Sequence, residues 1–167
     1  MGIITIIGGS KMAQKTKQYK VKEIMQENIF TAHPNQTIFD ASVLMAVQDI
    51  GTLPVVKEDG TLVGILTDRD IVTRCTATNK DIYKTNVFEC MTPNPVRTVS
   101  SAPIQDAMGL MAELGTRRLP VIEQDKLVGI ISLADIANVS TFCPNEKHPD
   151  ETCILIDVAK EHKNHLI

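Results

Sequence analysis

The sequence predicts an α+β fold made of two copies of one small unit. The clearest sign is the stretch Gly64–Ile71, which occurs a second time as Gly129–Ile136. Short apolar runs bounded by turn residues predict strands, and apolar residues three or four positions apart predict helices. Both patterns appear in each copy in the same order. We therefore expect each half to be a small sheet packed with two helices.

The repeat extends over most of the chain with few gaps. Matched positions are 65 to 67 residues apart, so single-residue gaps are enough to align the copies. A unit of this length is too small to bury a large core alone, which favours two copies packed together. The matched segments are Val21–Met25 with Val87–Met91, Asn28–Thr31 with Pro95–Thr98, Ile38–Ala41 with Ile104–Ala107, Leu53–Val56 with Leu119–Ile122, and Leu62–Ile65 with Leu127–Ile130.

The elements of repeat one follow from local patterns. Thr37 is a typical N-cap residue before a helical pattern that runs to about Gln48, and the turn Glu58–Thr61 separates two apolar runs. Repeat two has the same order, with its hairpin turn at about Gln124–Lys126. In repeat one we also expect a short helix at Val21–Met25, an extended piece at Asn28–Ala32, strands at Leu53–Lys57 and Leu62–Leu66, a closing helix at Asp68–Arg74 and a polar linker at Ala77–Thr85.

At the end of the second strand of each copy, a hydroxyl residue stands three positions before an acid. The two pairs are Thr67 with Asp70 and Ser132 with Asp135. One interpretation is a capping box, in which the hydroxyl accepts a backbone N–H at the start of a helix. The other is a nucleotide site, in which the carboxylate accepts hydrogen bonds from ribose hydroxyls and a phosphate lies near the helix start.

Composition excludes several classes of function. The 167 residues carry a net charge of −3, so no overall field attracts nucleic acid or an anionic membrane. No apolar run is long enough to span a bilayer, and four cysteines without paired spacing predict free thiols in a reducing, cytoplasmic environment. The chain has no nucleophile-elbow, P-loop or dinucleotide-binding motif. We therefore expect a protein that is not an enzyme.

Two terminal segments lie outside the repeat. Residues 1–19 include the β-prone run Ile3–Ile7. Either Met12 is the natural start, with residues 1–11 added for expression, or the run is an extra strand. In residues 141–167 we expect a short helix beginning after Asp150. The cysteines and histidines of this tail fit none of the usual zinc spacings, so we expect no metal site.

The Leu-Pro-Val strand, the Val-Gly-Ile strand and the Thr/Ser-x-x-Asp turn each occur twice at matched spacing. In these features the chain resembles a tandem pair of cystathionine-β-synthase (CBS) domains, a Bateman module, over about residues 20–140. The resemblance divides the chain into repeat one at 20–78 and repeat two at 86–140. It implies two halves related by a pseudo-two-fold axis, which bind an adenine nucleotide or nucleoside reversibly in the clefts between them and so regulate a partner.

The family's binding mode also implies which side chains contact the ligand. In the family, an Ile/Val-x-Thr segment lies along the adenine and ribose, where apolar side chains sandwich the purine. The acid of the Thr/Ser-x-x-Asp turn holds the ribose. The implied ligands are AMP, ADP, ATP or S-adenosylmethionine, and no cofactor is required. The implied contacts are Ile29, Thr31, Thr67, Asp70, Val96, Thr98, Ser132 and Asp135.

The copies differ most just before the Leu-Pro-Val strand. Arg117 and Arg118 of repeat two stand where repeat one has Gly51 and Thr52. Paired guanidinium groups hold a phosphate with directional, charge-assisted bonds, and basic residues here contact phosphates in relatives such as the γ subunit of AMP-activated kinase. The alternative is that both arginines pair with neighbouring glutamates on the surface. We expect one cleft to prefer phosphorylated adenosines.

The resemblance also implies a homodimer. A CBS pair keeps apolar helix faces outside its central sheets, and we expect Met45, Met108 and Met111 to lie in the interface between two copies. A second hypothesis needs no ligand. In it the chain is a dimeric protein-interaction module, and the Thr/Ser-x-x-Asp turns only cap helices. Binding of adenosine-containing molecules distinguishes the two hypotheses.

Overall fold

The computed structural model describes residues 19–139. The expectations for the first 18 residues and for the tail lie outside the described residues, including the alternative start at Met12 and the helix after Asp150. Within the described range the chain forms two halves of one architecture. Each half is a three-stranded sheet with helices packed against it. The predicted α+β fold is confirmed.

The first half contains a long helix, a hairpin and a helical segment. Its closing segment is longer than predicted, because the helix that begins at Asp68 continues through a π-helical turn and a 3-10 turn to Thr78. Repeat one begins with a 3-10 turn at Val21–Glu23. Its labelled elements are α1 at Ile38–Gln48, β1 at Thr52–Val56, β2 at Leu62–Thr67 and α2 at Asp68–Asp70.

Repeat two has the same order of elements, starting from a 3-10 turn at Val87–Glu89. Its long helix ends at Gly115, whose φ of 62° is the left-handed conformation that glycine adopts most easily at a helix end. The elements are β3 at Thr92–Pro93, β4 at Thr98–Val99, α3 at Ile104–Leu114, β5 at Arg118–Glu123, β6 at Lys126–Ser132 and α4 at Leu133–Val139.

A short segment of the other repeat pairs with the second hairpin strand of each sheet, while the third strand of the second sheet is its own β4, parallel to β5. The long strands pair as antiparallel hairpins, β1 with β2 and β5 with β6. Thr92 of β3, which belongs to repeat two, pairs with Ile65 of the first sheet. In the matching place, Gln26 of repeat one bridges Ile130 of the second sheet. We call the segments around Gln26 and Thr92 the crossing segments.

The crossing segments explain the glycine of each Val-Gly-Ile strand. A Cβ on Gly129 would lie 2.7 Å from Met25 Sδ and 3.0 Å from the carbonyl oxygen of Gln26. A Cβ on Gly64 would overlap the side chain of Met91. Glycine makes room for a close approach at both positions, by backbone and side chain at Gly129 and by the Met91 side chain at Gly64.

Each hydrophobic core is also completed by the other repeat. Val21 is fully buried in the core of the second half, together with Ile104. Val87 and Cys90 are fully buried in the core of the first half. Burial of such side chains contributes roughly 1.5–3 kcal/mol each, so the first turn of one repeat stabilises the other.

The two hairpin turns meet at the junction between the halves. Leu62 N donates to the carbonyl oxygen of Asp125 at 3.2 Å. Lys126 Nζ lies 2.7 Å from Asp59 Oδ2 and donates to Thr61 Oγ1 at 2.9 Å. The hydrogen bond from Lys126, with further bonds from Thr61, holds the pKa of Asp59 well below its usual range. Both backbone hydrogen bonds and a charged side-chain contact therefore hold the two hairpin turns together.

The prediction that Met45, Met108 and Met111 lie in a dimer interface is wrong. These side chains are 6%, 4% and 1% exposed and belong to the cores of their own halves. Their helix positions face the sheet rather than the outside. No helix within residues 19–139 is long and apolar enough to cross a membrane.

Candidate functional site

The first candidate site is the turn from β2 to α2, which we call the first corner. Asp70 Oδ2 accepts hydrogen bonds from Thr67 N at 3.0 Å and Thr67 Oγ1 at 2.7 Å. Asp70 N donates back to Thr67 Oγ1 at 3.1 Å. Asp70 Oδ1 lies 3.4 Å from Arg74 Nη2. Asp70 as a residue is 9% exposed, and its carboxylate has a partner on each oxygen.

The second corner is the matching turn from β6 to α4. Asp135 Oδ2 accepts from Ser132 N at 2.9 Å and Ser132 Oγ at 2.6 Å, and Asp135 N donates to Ser132 Oγ at 3.2 Å. Asp135 Oδ1 accepts from Gln26 Nε2 at 3.0 Å. A capping box is thus present at both corners, and in each the second carboxylate oxygen is held by a side chain.

The crossing segments line both corners. Gln26 reaches the second corner directly. At the first corner Arg74 Nη1 donates to the carbonyl oxygen of Cys90 at 3.0 Å and to Thr92 Oγ1 at 3.1 Å. Sequence reasoning missed Gln26 and Thr92 as site residues. Gln26 and Thr92 occupy matched positions in the two repeats, which could have indicated a shared role. The sequence does not show, however, which sheet a short segment joins.

Strand pairing separates the two arginines that the sequence predicts as phosphate contacts. Arg118 lies opposite Ser132 in the β5–β6 register, and directly opposed residues present their side chains on the same face. Arg117 precedes the strand, and its carbonyl oxygen accepts from Leu133 N at 3.0 Å. Both arginines are exposed, and neither forms an ion pair within residues 19–139. Only Arg118 therefore shares the face of a corner hydroxyl.

The predicted equivalence of Thr31 and Thr98 is wrong. Ala32 bridges Val55 and Thr98 pairs with Val121, and Val55 and Val121 are matched strand positions. Ala32 is therefore the structural counterpart of Thr98. A shift of one residue turns an extended side chain to the opposite face. Thr31 is half-buried and Thr98 is buried, so the two threonines do not present equivalent groups.

The same shift applies to the predicted apolar contacts. Ile29 is half-buried, whereas Val96 is 44% exposed. With the corrected register the counterpart of Val96 is Phe30, which is 46% exposed. The matched exposed apolar pair is thus Phe30 with Val96, and the structure places Ile29 in a different environment.

No group of three or more His, Cys, Asp or Glu side chains within residues 19–139 is arranged to hold a metal ion. Cys75 and Cys90 are free thiols buried in the core of the first half. Burial, with a smaller contribution from the neighbouring Cys75, raises the pKa of Cys90. A protonated, buried thiol is a poor nucleophile. The cysteines and histidines of the tail lie outside the described residues.

Comparison with known proteins identifies the family. The CBS domain model matches residues 21–76 and 87–141, which together make up more than half of the chain. The chain belongs to the CBS-domain family. This CBS pair is 44% identical over 117 residues to the CBS domain-containing protein YhcV of Bacillus subtilis, a match that covers 70% of this chain and 82% of YhcV.

Two solved CBS structures that hold ligands are similar to this CBS pair. The CBS domain pair of protein MJ0100, in complex with 5′-methylthioadenosine and S-adenosyl-L-methionine, is 29% identical with a TM-score of 0.65 and covers 74% of this chain and 96% of its own. CBSX2 in complex with AMP is 28% identical with a TM-score of 0.66 and covers 73% and 96%. All three of these ligands contain adenosine.

Proposed function

We propose that this CBS pair is a regulatory module that binds an adenosine-containing ligand in the clefts between its repeats. AMP, ADP, ATP and S-adenosylmethionine are the candidate ligands. The observation that carries the proposal is the duplicated corner, where a carboxylate and a hydroxyl at a strand-to-helix turn are lined by a segment of the other repeat. The adenosine ligands of the similar MJ0100 and CBSX2 structures support it.

In the proposed complex the ribose hydroxyls donate to the carboxylate oxygen that a side chain now occupies. That oxygen is Asp135 Oδ1 at the second corner, where Gln26 is displaced, and Asp70 Oδ1 at the first corner, where Arg74 is displaced. Contacts between two charged groups are stronger than those with a neutral amide, so Gln26 leaves more easily. The second corner is therefore the preferred ribose site.

The phosphate of a bound nucleotide is assigned to Arg118. Two observations support this assignment: Arg118 lies opposite Ser132, so both side chains leave the same face of the hairpin, and Arg118 forms no ion pair within the described residues. Arg117 is the second candidate. The contacts with adenine are assigned to the segments containing Ile29, Thr31, Val96 and Thr98.

Calorimetric titration with AMP, adenosine, ADP, ATP and S-adenosylmethionine tests the ribose assignment. Asp135→Asn and Asp70→Asn should each weaken binding at their own corner by roughly 1.5–3 kcal/mol, the usual range for a hydrogen bond to a charged group. Asp40→Asn is the matched control, because Asp40 exchanges two of the corner hydrogen bonds with Thr37 Oγ1 at the start of α1, away from both corners. It should lower the melting temperature and leave affinity unchanged. Unchanged affinity in both corner variants would contradict the ribose assignment.

The phosphate assignment has a separate test. Arg118→Gln keeps the length of the side chain and removes its charge, so it should abolish the preference for AMP over adenosine and reduce the salt dependence of binding. Arg117→Gln is the comparison variant. A preference for AMP that survives Arg118→Gln and disappears in Arg117→Gln would assign the phosphate to Arg117 instead.

The second candidate function is a ligand-free interaction module. It is favoured by one observation, namely that both carboxylates already have partners on both oxygens. Thermal shift distinguishes it from the first, because a ligand at a hundredfold excess over its dissociation constant raises the free energy of unfolding by about 2.7 kcal/mol. No shift with any of the five compounds would favour the interaction module.

A further inference from the structure

Two buried thiols lie together where the repeats meet in the first half. Cys75 ends the π-helical turn of residues 68–78, which we call the closing segment, and Cys90 follows the first turn of repeat two. Both residues are fully buried in the same hydrophobic core. Burial raises the pKa of Cys90 most, and the charge of Cys75 and a side-chain hydrogen bond with it add to the rise. The two thiols are therefore close neighbours.

Contacts that do not involve sulfur-to-sulfur interaction hold the two segments in place. Arg74 Nη1, from the residue before Cys75, donates to the carbonyl oxygen of Cys90 at 3.0 Å. The Cys75 thiol donates to the carbonyl oxygen of Lys80 at 3.8 Å, and Lys80 Nζ lies 3.6 Å from Glu89 Oε2. Neighbours of each cysteine are thus bound to the segment of the other, so the pair stays aligned without a covalent bond.

The architecture does not require this pair of thiols. In the alignment of the repeats, Cys75 corresponds to Ser140 and Cys90 corresponds to Ile24. Ile24 packs against the core of the second half in the place that Cys90 takes in the first. An aliphatic side chain therefore serves the packing role at this position. What a pair of cysteines adds to a core is the ability to be oxidised and reduced.

The cover over the two thiols is thin. Residues 72–74 and 76–80 are all exposed, so Cys75 is the one buried residue in this stretch of the chain. A segment with few buried side chains opens at a low cost in free energy compared with the core strands. Single π-helical turns, such as the one at Ile71–Cys75, are frequent at functional sites. A local opening of the closing segment is therefore enough to admit a small oxidant.

We propose that Cys75 and Cys90 form a reversible disulfide bond in the presence of a peroxide, which links the closing segment of repeat one to the start of repeat two. The Cys75 thiolate attacks one peroxide oxygen, the O–O bond breaks, and the hydroxide that leaves takes up the Cys75 proton as water. The Cys90 sulfur then attacks the sulfenic acid on Cys75, the S–O bond breaks, and a second water leaves with the Cys90 proton. The two sulfurs lose two electrons in total, and the peroxide gains them.

The bond also affects the first corner, and this part rests on the proposed function. Arg74 contacts both the carbonyl oxygen of Cys90 and Asp70 Oδ1, the oxygen assigned to the ribose. A disulfide fixes Cys90 beside Arg74, so a ribose displaces the guanidinium less easily. Oxidation should therefore weaken binding of AMP at the first corner by roughly threefold or more, as expected for one retained hydrogen bond.

Peptide mapping of the full chain tests the disulfide. In a background with Cys143→Ser and Cys153→Ser, the remaining thiols are Cys75 and Cys90. After treatment with hydrogen peroxide, quenching by catalase and digestion without reductant, mass spectrometry should find peptides joined through these two residues, and dithiothreitol should separate them. Cys75→Ala and Cys90→Ala are the matched controls and should give no link within a chain. A chain that is folded by circular dichroism and keeps both thiols, or is oxidised only to sulfinic acid, would overturn the proposal.

Thermal unfolding shows whether the bond fits the fold. The oxidised chain should melt several degrees above the reduced chain, because a cross-link that fits the native structure restricts the unfolded chain. A lower melting temperature after oxidation would show that the bond forms only by distorting the fold, and this would overturn the proposal.

The effect on the first corner has its own measurement. Calorimetry with AMP compares the oxidised and reduced chains in an Asp135→Asn background, in which binding at the second corner is weakened. Arg74→Ala in the same background is the control, and its affinity should not respond to oxidation. Equal affinities of the oxidised and reduced chains would overturn the effect on the first corner. A reduced original chain that binds no AMP would overturn the proposed function and this effect with it, whereas the disulfide is decided by peptide mapping alone.

Discussion

The two corners share one capping geometry and differ in what holds the second carboxylate oxygen. At the first corner the partner is the cation Arg74, four residues along the same helical segment. At the second corner it is the neutral amide of Gln26, which arrives from the other repeat. A duplicated turn can therefore keep its structural role in both copies, while its carboxylate is held by a cation in one copy and by a neutral amide in the other.

The segment that supplies the partner of each carboxylate decides which other contacts change when that partner is displaced. Arg74 lies in the same helical segment as Asp70, but its Nη1 also donates to the carbonyl oxygen of Cys90 and to Thr92 Oγ1 of repeat two. Displacing Gln26 pulls on a residue whose backbone exchanges two hydrogen bonds with Ile130, at 2.8 and 2.9 Å, in the opposite sheet. A ligand that displaced either partner would therefore disturb a contact with a crossing segment, through side-chain hydrogen bonds at the first corner and through a residue with a paired backbone at the second.

The largest expected effect distinguishes the two crossings. Gly129→Ala should destabilise the protein by about 3 kcal/mol and Gly64→Ala by about 1 kcal/mol, within the range for an overpacked site. The reason is that a Cβ on Gly129 meets the backbone carbonyl of Gln26, whereas one on Gly64 meets only the flexible side chain of Met91. Urea unfolding of both variants measures the difference. Equal losses of unfolding free energy in the two variants would show that the two crossing segments pack equally closely on their strands.

Next in size is the stability of the corners themselves. Asp70→Ala should cost about 2 kcal/mol and Asp135→Ala about 1 kcal/mol. Both lose the carboxylate half of a capping box, Asp70 also loses a partly exposed ion pair with Arg74, and Asp135 also loses the hydrogen bond from Gln26. Asp40→Ala is the control and should cost less than Asp135→Ala, because the Asp40 carboxylate accepts from Thr37 Oγ1, whereas that of Asp135 accepts from Ser132 N, Ser132 Oγ and Gln26 Nε2. Thermal unfolding measures the loss of unfolding free energy in each variant. A loss in Asp70→Ala equal to that of the control would show that the ion pair with Arg74 does not contribute to stability.

A smaller effect is expected on ligand affinity. Gln26→Ala removes the group that competes for Asp135 Oδ1, so it should tighten binding of AMP at the second corner by about 0.5–1.5 kcal/mol, the net value of one hydrogen bond. Arg74→Ala should act in the same direction at the first corner. Calorimetry on the two variants separates the corners. Weaker binding in Gln26→Ala would mean that the amide contacts the ligand instead of competing with it.

The smallest effect concerns the junction that keeps the halves in place. The pKa of Asp59 is lower in the folded state than its usual value near 3.8, so its charge stabilises the fold above that pH. The contribution is lost as the pH falls below 3.8 toward the folded-state pKa. Lys126→Met should therefore flatten the dependence of the melting temperature on pH between about 4 and 2. A pH profile identical to that of the original chain would show that this contact contributes nothing.

Local patterns in the sequence predicted most of the elements. Thr37 caps α1, the turn at Glu58–Thr61 joins β1 and β2, and Thr67 and Ser132 take part in capping boxes. These features succeed because each depends on residues a few positions apart. The three predicted interface methionines failed for a different reason. Helical spacing shows that a face is apolar, but it does not show whether that face meets its own sheet or another molecule.

The candidate site was predicted less completely, because it depends on which segments meet. The acids and hydroxyls of the corners were found from spacing alone. The partners Gln26 and Arg74 require knowledge of the tertiary contacts, and the pairing of Thr31 with Thr98 failed because the alignment contained a gap that the strand register does not have. Arg117 and Arg118 look equivalent in sequence, and only the strand pairing separates them.

The exchange of crossing segments also sets an order for events during synthesis of the chain. The first sheet is complete once residue 93 has emerged, since Thr92 and Pro93 supply its last strand. The segment at Gln26 has no strand to join until Ile130 is made, about a hundred residues later. Contacts so distant in sequence are slow to form. The segment around Gln26 is therefore secured late, and a ribosome-bound chain that ends before Ile130 leaves this segment without its strand partner.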